Sequence, residues 1–523
     1  MGLRGVGHAA QSRNAADESF RFDRSIALAT FVATATFLLH FVAAGRYGYQ
    51  RDELYFISCA RHLAWGYVDQ PPLIALVAKA ALATFGDSLY GIRFLPAVAG
   101  SATVVLTGRL TARFGGGLLA QALAMIGVGL APFFLAVGNL LTMNAFEPLL
   151  WLGAVVLFVR ACECDEPVTW AALGAIAGLG LINKYSTFFF LGSCIVAVAL
   201  TPARRVLVRP GFFWAVALAA TFVAPTLVWQ AQNGWPQLAV LRDAAAMKNV
   251  VVGPFAFYAQ QVLMMNPLAA PLWIFGLIAL LRAKRFVAVR WIGYAYVVLS
   301  ILYLALGAKT YYLAPIYPAF FAAGASAIEA RITRLRIATV LYPALLAVCG
   351  LLIAPEAYPL LPLATFERYE RVLDFRGIKM EKHPVGRVPQ HFADMLGWSS
   401  LVASVARAYA TLPPAERRAA VVLTRDYGQA SAVDFFGPRY GLPRAISGHN
   451  NYYLYGTRGA TGSAVLAVGL DARFLSTEFA NVRRVGFYHD AYVLPDFNDL
   501  PIYACTLPRE PLAQWWPATK RYI

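Results

Sequence analysis

The chain has 523 residues, of which 59% are hydrophobic and 14% charged, and it carries a formal net charge of +17. Soluble domains run about 45–50% apolar and about 25% charged, so this composition excludes a disordered chain, a collagen-like fibre and an ordinary cytosolic globule. Six cysteines are too few for a disulfide scaffold, and the basic excess fits either nucleic-acid binding or lysines and arginines retained in cytoplasmic membrane loops.

The position of the apolar runs separates those two readings. Crossing a bilayer core takes about 17–25 mostly apolar residues. Eleven segments qualify, all before residue 356: 25–45, 91–110, 117–137, 144–161, 168–183, 186–200, 212–230, 257–281, 291–306, 310–328 and 337–354. The pair 168–183 and 186–200 is short and divided by Asn183-Lys184. The run from Leu73 to Phe85 contains Lys79 and is too short to span, so it is expected to lie at the interface or on the bundle. With the N-terminus in the cytoplasm, the inner segments hold 17 Lys and Arg and the outer ones 8. Arg204-Arg205 with Arg209, and Arg282-Ala283-Lys284-Arg285, are the clearest inner markers. This positive-inside bias favours eleven spans over ten. Residues 1–354 carry +13 of the +17, so membrane topology accounts for most of the charge and a nucleic-acid partner is not expected. Val42-Ala43-Ala44 resembles a signal cleavage site, but the first apolar run is longer than a signal core and ten more follow, so it is read as a retained anchor.

The sequence therefore predicts a polytopic helical membrane domain, 1–354, and a C-terminal soluble α/β domain, 355–523. In the latter, strands are expected at 419–424, 463–468, 482–488 and 500–506, and helices at 428–436 and 472–479. Eleven spans place this domain outside the cytoplasm, on the periplasmic or extracellular face.

Ionisable groups near spans are costly and mark candidate sites. The outer loops and outer helix ends carry Asp52, Glu53, Asp69, Asp87, Glu147 and Asp243. Adjacent Asp52 and Glu53 point in different directions on helix or strand, so one can face a cavity while the other pairs with Arg51 or caps a helix. Tyr67-Val68-Asp69-Gln70-Pro71-Pro72-Leu73 follows, its proline pair ending any helix and fixing an extended turn.

The pattern Arg51-Asp52-Glu53-Leu54-Tyr55-Phe56, then Asp69-Gln70-Pro71-Pro72-Leu73, resembles bacterial members of glycosyltransferase family 39. These belong to the multispanning GT-C superfamily, with the protein O-mannosyltransferases and lipid A aminoarabinose transferases. Met143-Asn144-Ala145-Phe146-Glu147-Pro148-Leu149, Asn183-Lys184-Tyr185-Ser186 and the run from Lys309 to Pro318 look like family segments in the same order, and the resemblance covers roughly residues 25–330. It implies transfer of a sugar from a polyprenyl-phosphate donor to an extracytoplasmic lipid, glycan or protein, among membrane lipids. Asp52 matches the acidic position of the first outer loop and would act as base, its pKa raised by a shielded cavity. The leaving lipid phosphate would need positive charge rather than a general acid. Lys309 is the best placed of the cations, with Lys184 and Arg242, and Tyr311 and Tyr312 could bond phosphate or sugar. Glu53, Asp69 and Glu147 are candidates for orienting acceptor or donor. Gln70 stands where aminoarabinose transferases commonly carry Lys, which argues against that donor.

In the C-terminal domain, Asp426, Tyr427, His449 and Asn450 lie in polar, aromatic, glycine-rich segments suited to a sugar, the first two directly after an expected strand. No cofactor is expected. Asp52, Asp69 and Glu147 could form an oxygen-rich divalent site, but no His or Cys pair has metal-like spacing in the outer loops. The alternative function is a secondary transporter or flippase. Its usual paired halves and midplane breaks are not apparent, and Arg93 is the one charge within a span, near its end.

Overall fold

Prolines and apolar length set the helices of the N-terminal part. The computed structural model describes residues 5–373, 378–379, 381–384 and 386–522, with the helix course alone for 5–22. Among the described residues six helices are long and apolar enough to cross a membrane: Asp23–Ala44, Leu89–Arg113, Met143–Glu163, Pro210–Gln232, Thr310–Ile332 and Ala338–Ala357. The stretch Thr310–Ile316 of the fifth is 3₁₀ helix. Three further runs are bent pairs: Leu118–Gly129 with Pro132–Gly138 at 62°, Ser186–Ala199 with Pro202–Val208 at 116°, and Pro254–Met264 with Pro267–Arg282 at 99°. Each second half opens on a proline, which suits a first helical turn and obstructs continuation of the helix before it. Pro167–Asn183 and Trp291–Ala305 are shorter apolar helices. Together these elements occupy the eleven expected segments, but several are broken or short rather than straight spans. Leu73–Phe85 is the expected short helix.

Loop contacts show how the chain alternates between the bundle's two ends. At one end Arg113 meets Glu163, Gly117 N donates to Glu329 at 2.7 Å, Arg209 donates to the Ala161 carbonyl at 2.9 Å, and Arg285 donates to Ser326 at 3.2 Å. The basic loops 204–209 and 282–290 belong to this end. The loops carrying the candidate carboxylates gather at the other, beneath the C-terminal domain. Gly276 and Gly324 let two helices touch: a Cβ at Gly324 would stand 1.7 Å from the Leu272 carbonyl oxygen. Small residues allow such backbone approach where lipid supplies no hydrophobic drive.

Among the described residues the C-terminal domain holds one five-stranded sheet: β1 (Ala420–Thr424), β2 (Ala445–Ile446), β3 (Ala464–Val468), β4 (Phe479–Tyr488) and β5 (Leu500–Pro508), in the order β2-β1-β3-β5-β4. β1 pairs parallel with β2 and β3, whereas β5 runs antiparallel to β3 and β4. The four expected strands are present, and two-residue β2 is additional. The helix Tyr427–Phe436 follows β1 and packs on the helix Arg51–Arg61. Residues of both parts, Tyr55 and Phe56 with Trp398, Tyr427 and Phe435 among them, share one buried apolar cluster. Val68 N donates to Asn451 Oδ1 at 2.7 Å, and Arg51 N donates to the Asp394 carbonyl at 2.8 Å. The sheet domain is thereby fixed over the loops that hold the carboxylates.

Candidate active site

The helix Arg51–Arg61 begins at a capping box: the Gln50 side chain accepts from Asp52 N, and Glu53 Oε2 accepts from Gln50 N at 2.8 Å. Consecutive helical residues point about 100° apart, and here the divergence assigns the two acids to different surroundings. Glu53 turns inward and is fully buried, forming a two-point pair with Arg93 at 2.9 and 2.7 Å and accepting from Leu141 N. Asp52 turns into a cavity, its side chain 36% exposed. Tyr427 Oη donates to Asp52 Oδ1 at 2.7 Å, and among the described residues Oδ2 has no hydrogen bond.

That cavity, about 990 Å³, lies between the bundle end and the sheet domain and is lined by residues of both. Asp69 stands in it beside Asp52. It accepts from Tyr55 Oη at 2.9 Å and from Asn450 Nδ2 at 3.0 Å. Burial pushes the Asp69 carboxyl up to about 6, partly offset by the Tyr55 bond. Arg51 lies 3.6 Å from both Asp52 and Asp394, and burial raises Asp394 to about 6 against the pull of Arg51.

Cations face these acids. Lys184 Nζ donates to Asn144 Oδ1 at 2.7 Å and to Glu147 Oε2 at 2.9 Å, and it lies over the Tyr312 ring at 4.5 Å and the Tyr311 ring at 5.4 Å. An ammonium has three donors, so one N–H remains for a ligand. Lys309 donates to Glu381 at 2.6 Å, and Lys248 lies 3.4 Å from the same oxygen. Burial alone would lower Lys309, but Glu381 and Tyr312 outweigh it and hold its pKa up. Burial alone would raise Glu381. Its His383 bond, with Lys248 and Lys309, holds it far below the carboxylate range. Arg242 is exposed at the cavity's edge, paired with its neighbour Asp243 at 3.2 Å.

The structure thus brings Asp52, Asp69, Lys184, Lys309, Arg242, Tyr311, Tyr312, Asp426, Tyr427, His449 and Asn450 to one cavity. It does not bring Glu53 or Glu147 there. Glu53 locks the cap to Arg93, and Glu147 is buried behind the wall, where its oxygens take Lys184 and Ser186. An orienting role for Glu53 toward a substrate is therefore corrected to a structural one, and Glu147 acts on Lys184. Sequence reasoning missed Lys248, Glu381, His383 and Arg521 as cavity residues; the first three belong to loops brought together by the bridge between Asn249 and Glu381. No local motif marks them: Lys248 alone stands close to an apolar helix, and Glu381, His383 and Arg521 lie well beyond the last span. Among the described residues no group of three or more His, Cys, Asp or Glu could hold a metal ion.

A family model described as dolichyl-phosphate-mannose-protein mannosyltransferase matches residues 69–229. Lipid A galacturonosyltransferase RgtD of Rhizobium johnstonii is 27% identical over 231 residues, 40% of this chain and 47% of that protein. The chain thus spans about half the length of the curated relative it matches. Among solved structures, ArnT from Cupriavidus metallidurans bound to undecaprenyl phosphate superposes with a TM-score of 0.58 at 13% identity, over 91% of this chain and 97% of that one. Its apo state gives a TM-score of 0.53 at the same identity and coverage. The fold is that of ArnT: a multispan membrane helix bundle with a small C-terminal sheet domain. With the ordered loop motifs, these likenesses make the chain similar in sequence and fold to the multispan glycosyltransferases of the family 39 type.

Proposed function

We propose that this chain is a bacterial inner-membrane glycosyltransferase. It moves a sugar from a polyprenyl-phosphate donor to an acceptor on the outer face, with inversion at the anomeric carbon. The N-terminus and the basic loops face the cytoplasm, and the sheet domain and cavity face outward. The observation that carries the reading is the single cavity in which Asp52 and Asp69 face Lys184 and Lys309. The acceptor hydroxyl attacks C1 as Asp52 Oδ2 takes its proton. The C1–O bond to phosphate breaks, and that electron pair leaves on the lipid phosphate. Lys184, Lys309 and Arg242 stabilise the developing charge, which matters most in a partly desolvated site. Exposed Leu241, Met247 and Leu306 border the cavity and offer an apolar path for the prenyl chain. The naming of RgtD and the undecaprenyl phosphate bound to ArnT support this substrate class. No cofactor or metal takes part in this reaction scheme. The test is mass spectrometry of envelope glycolipids and glycans from a deletion strain: one sugar-bearing species should vanish and return on complementation. An unchanged glycome with the donor lipid's level also unchanged would overturn the reading.

Asp69 gives a pH expectation. Its carboxyl is raised above the unfolded value, so the folded state binds more protons between about pH 4 and 6, and the burial cost to stability is full above about 6. Activity has the opposite sense if ionised Asp69 orients a sugar hydroxyl: kcat/KM should fall as pH drops through about 6. Asp69→Asn should remove that acid limb while lowering the plateau. If instead the limb persists there and disappears in Asp394→Asn, the titrating group is Asp394.

A further inference from the structure

The wall of the cavity formed by the sheet domain has unused binding capacity. His449 is buried, 6% exposed, and its Nδ1 accepts from Tyr427 N at 3.4 Å. The ring hydrogen is thereby placed on Nε2, which is buried and has no partner among the described residues. Burial, and then the charges of Arg521, Arg51, Lys248 and Arg425, hold the imidazole well below its usual pKa, so it is a neutral donor. Arg425 and Arg521 line the same wall. Among the described residues neither forms an ion pair with a carboxylate; Arg425 donates to the Asp496 carbonyl, and Arg521 to the Arg425 carbonyl. The nearby acids are otherwise engaged: Asp426 caps its helix at Gln429 N, and Asp496 pairs with His383 at 2.7 Å. The C-terminal tail is held in register, since Arg521 N donates to Gly448 O at 2.8 Å and its carbonyl accepts from Asn450 N at 2.9 Å.

We propose that Arg425, Arg521 and His449 form a second anion site, which takes a carboxylate or phosphate group carried by one of the two substrates, separate from the phosphate that links the donor sugar to its lipid. This inference rests on the glycosyl-transfer reading and deepens it. Tyr427 spans the two places: its hydroxyl holds Asp52, while its ring lies 4.9 Å from the His449 ring. Tyr427 therefore links the anion site to the carboxylate that receives the proton. Guanidinium forks match carboxylate and phosphate oxygens in pairs, and the Nε2–H adds a single directed bond. The group is either a carboxylate on the transferred sugar or a phosphate on the acceptor.

The test compares purified full-length protein and Arg425→Gln, Arg521→Gln and Arg521→Lys variants on four probes. These are polyprenyl-phosphate-linked galacturonic acid and galactose as donors, and lipid A with and without its phosphates as acceptors. The wild type should prefer one charged probe over its neutral counterpart at least tenfold in kcat/KM. Each Gln variant should lower that preference at least fivefold, and Arg521→Lys should restore part of it. Loss of donor preference identifies the sugar carboxylate, and loss of acceptor preference identifies the acceptor phosphate. A wild type without either preference, or variants that reduce charged and neutral probes equally, overturns the second site; the latter places the arginines at the donor phosphate. If a variant fails to fold, equilibrium binding of methyl galacturonoside against methyl galactoside to the wild type decides, equal affinities overturning the sugar-carboxylate arm and the acceptor comparison deciding the other. Absence of transfer from every donor by the wild type would instead strike at the glycosyl-transfer reading itself.

Discussion

Asp52→Asn is expected to lower the rate of sugar transfer by about 10³-fold at saturating donor, with little change in KM. General-base contributions run from about 10² to 10⁴, and a 10³-fold loss is about 4 kcal/mol of barrier. The substitution is isosteric, and the bond from Tyr427 Oη can still be made to the amide oxygen, so the fold around the helix Arg51–Arg61 should persist. The amide has no basic oxygen with which to take the acceptor proton. Tm and donor-lipid binding should therefore match wild type while turnover is lost. Transfer of labelled sugar from polyprenyl phosphate at wild-type rate would remove Asp52 from the mechanism. The prediction separates Asp52 from Asp69, whose loss changes the pH profile and orientation but leaves a base in place.

Much of the architecture was legible because each spanning segment is a local property. Apolar length and flanking prolines are read directly from neighbouring residues, and the eleven expected segments all contain helix. The divergence of Asp52 and Glu53 was equally local, following from the angular step of a helix. What composition did not reveal is where a helix bends: Pro254–Met264 and Pro267–Arg282 form one apolar stretch in the sequence and two directions in space. The site was legible only in halves. Asp52 and Tyr427 stand 375 residues apart in the chain, and Asn450 and Asp69 stand 381 apart. Their pairing depends on how the sheet domain docks, which no spacing rule reports. Glu147 shows the same limit in reverse. Its place beside an outer loop suggested a substrate contact, yet the break at Asn183-Lys184 brings Lys184 over it, and the acid serves the cation instead.

Removing Arg93 should have the largest effect on stability. Both members of the Arg93–Glu53 pair are fully buried, and each also serves backbone groups. Arg93 donates to the Ala44 and Gly48 carbonyls at 2.6 Å each, while Glu53 accepts from Gln50 N and Leu141 N at 2.8 and 2.9 Å. One pair thus joins the end of the first span, the turn before Asp52, the fourth helix in the chain and the segment entering Met143–Glu163. Breaking a buried pair from one side leaves an uncompensated charge and costs about 3–5 kcal/mol. Arg93→Met and Glu53→Leu should each destabilise the detergent-solubilised protein by that order, read as a lower Tm and a lower yield of folded material. The double variant should recover part of the loss, because neither charge is then stranded. It should remain less stable than wild type, because the four backbone groups lose their partners. The coupling between the two changes should therefore be favourable and about 2 kcal/mol or more. Additive losses would mean that the two side chains act independently. If the pair also sets the position of Asp52, the double variant should regain stability more fully than turnover, since apolar side chains can fill the space without restoring the cap that aims residue 52 into the cavity.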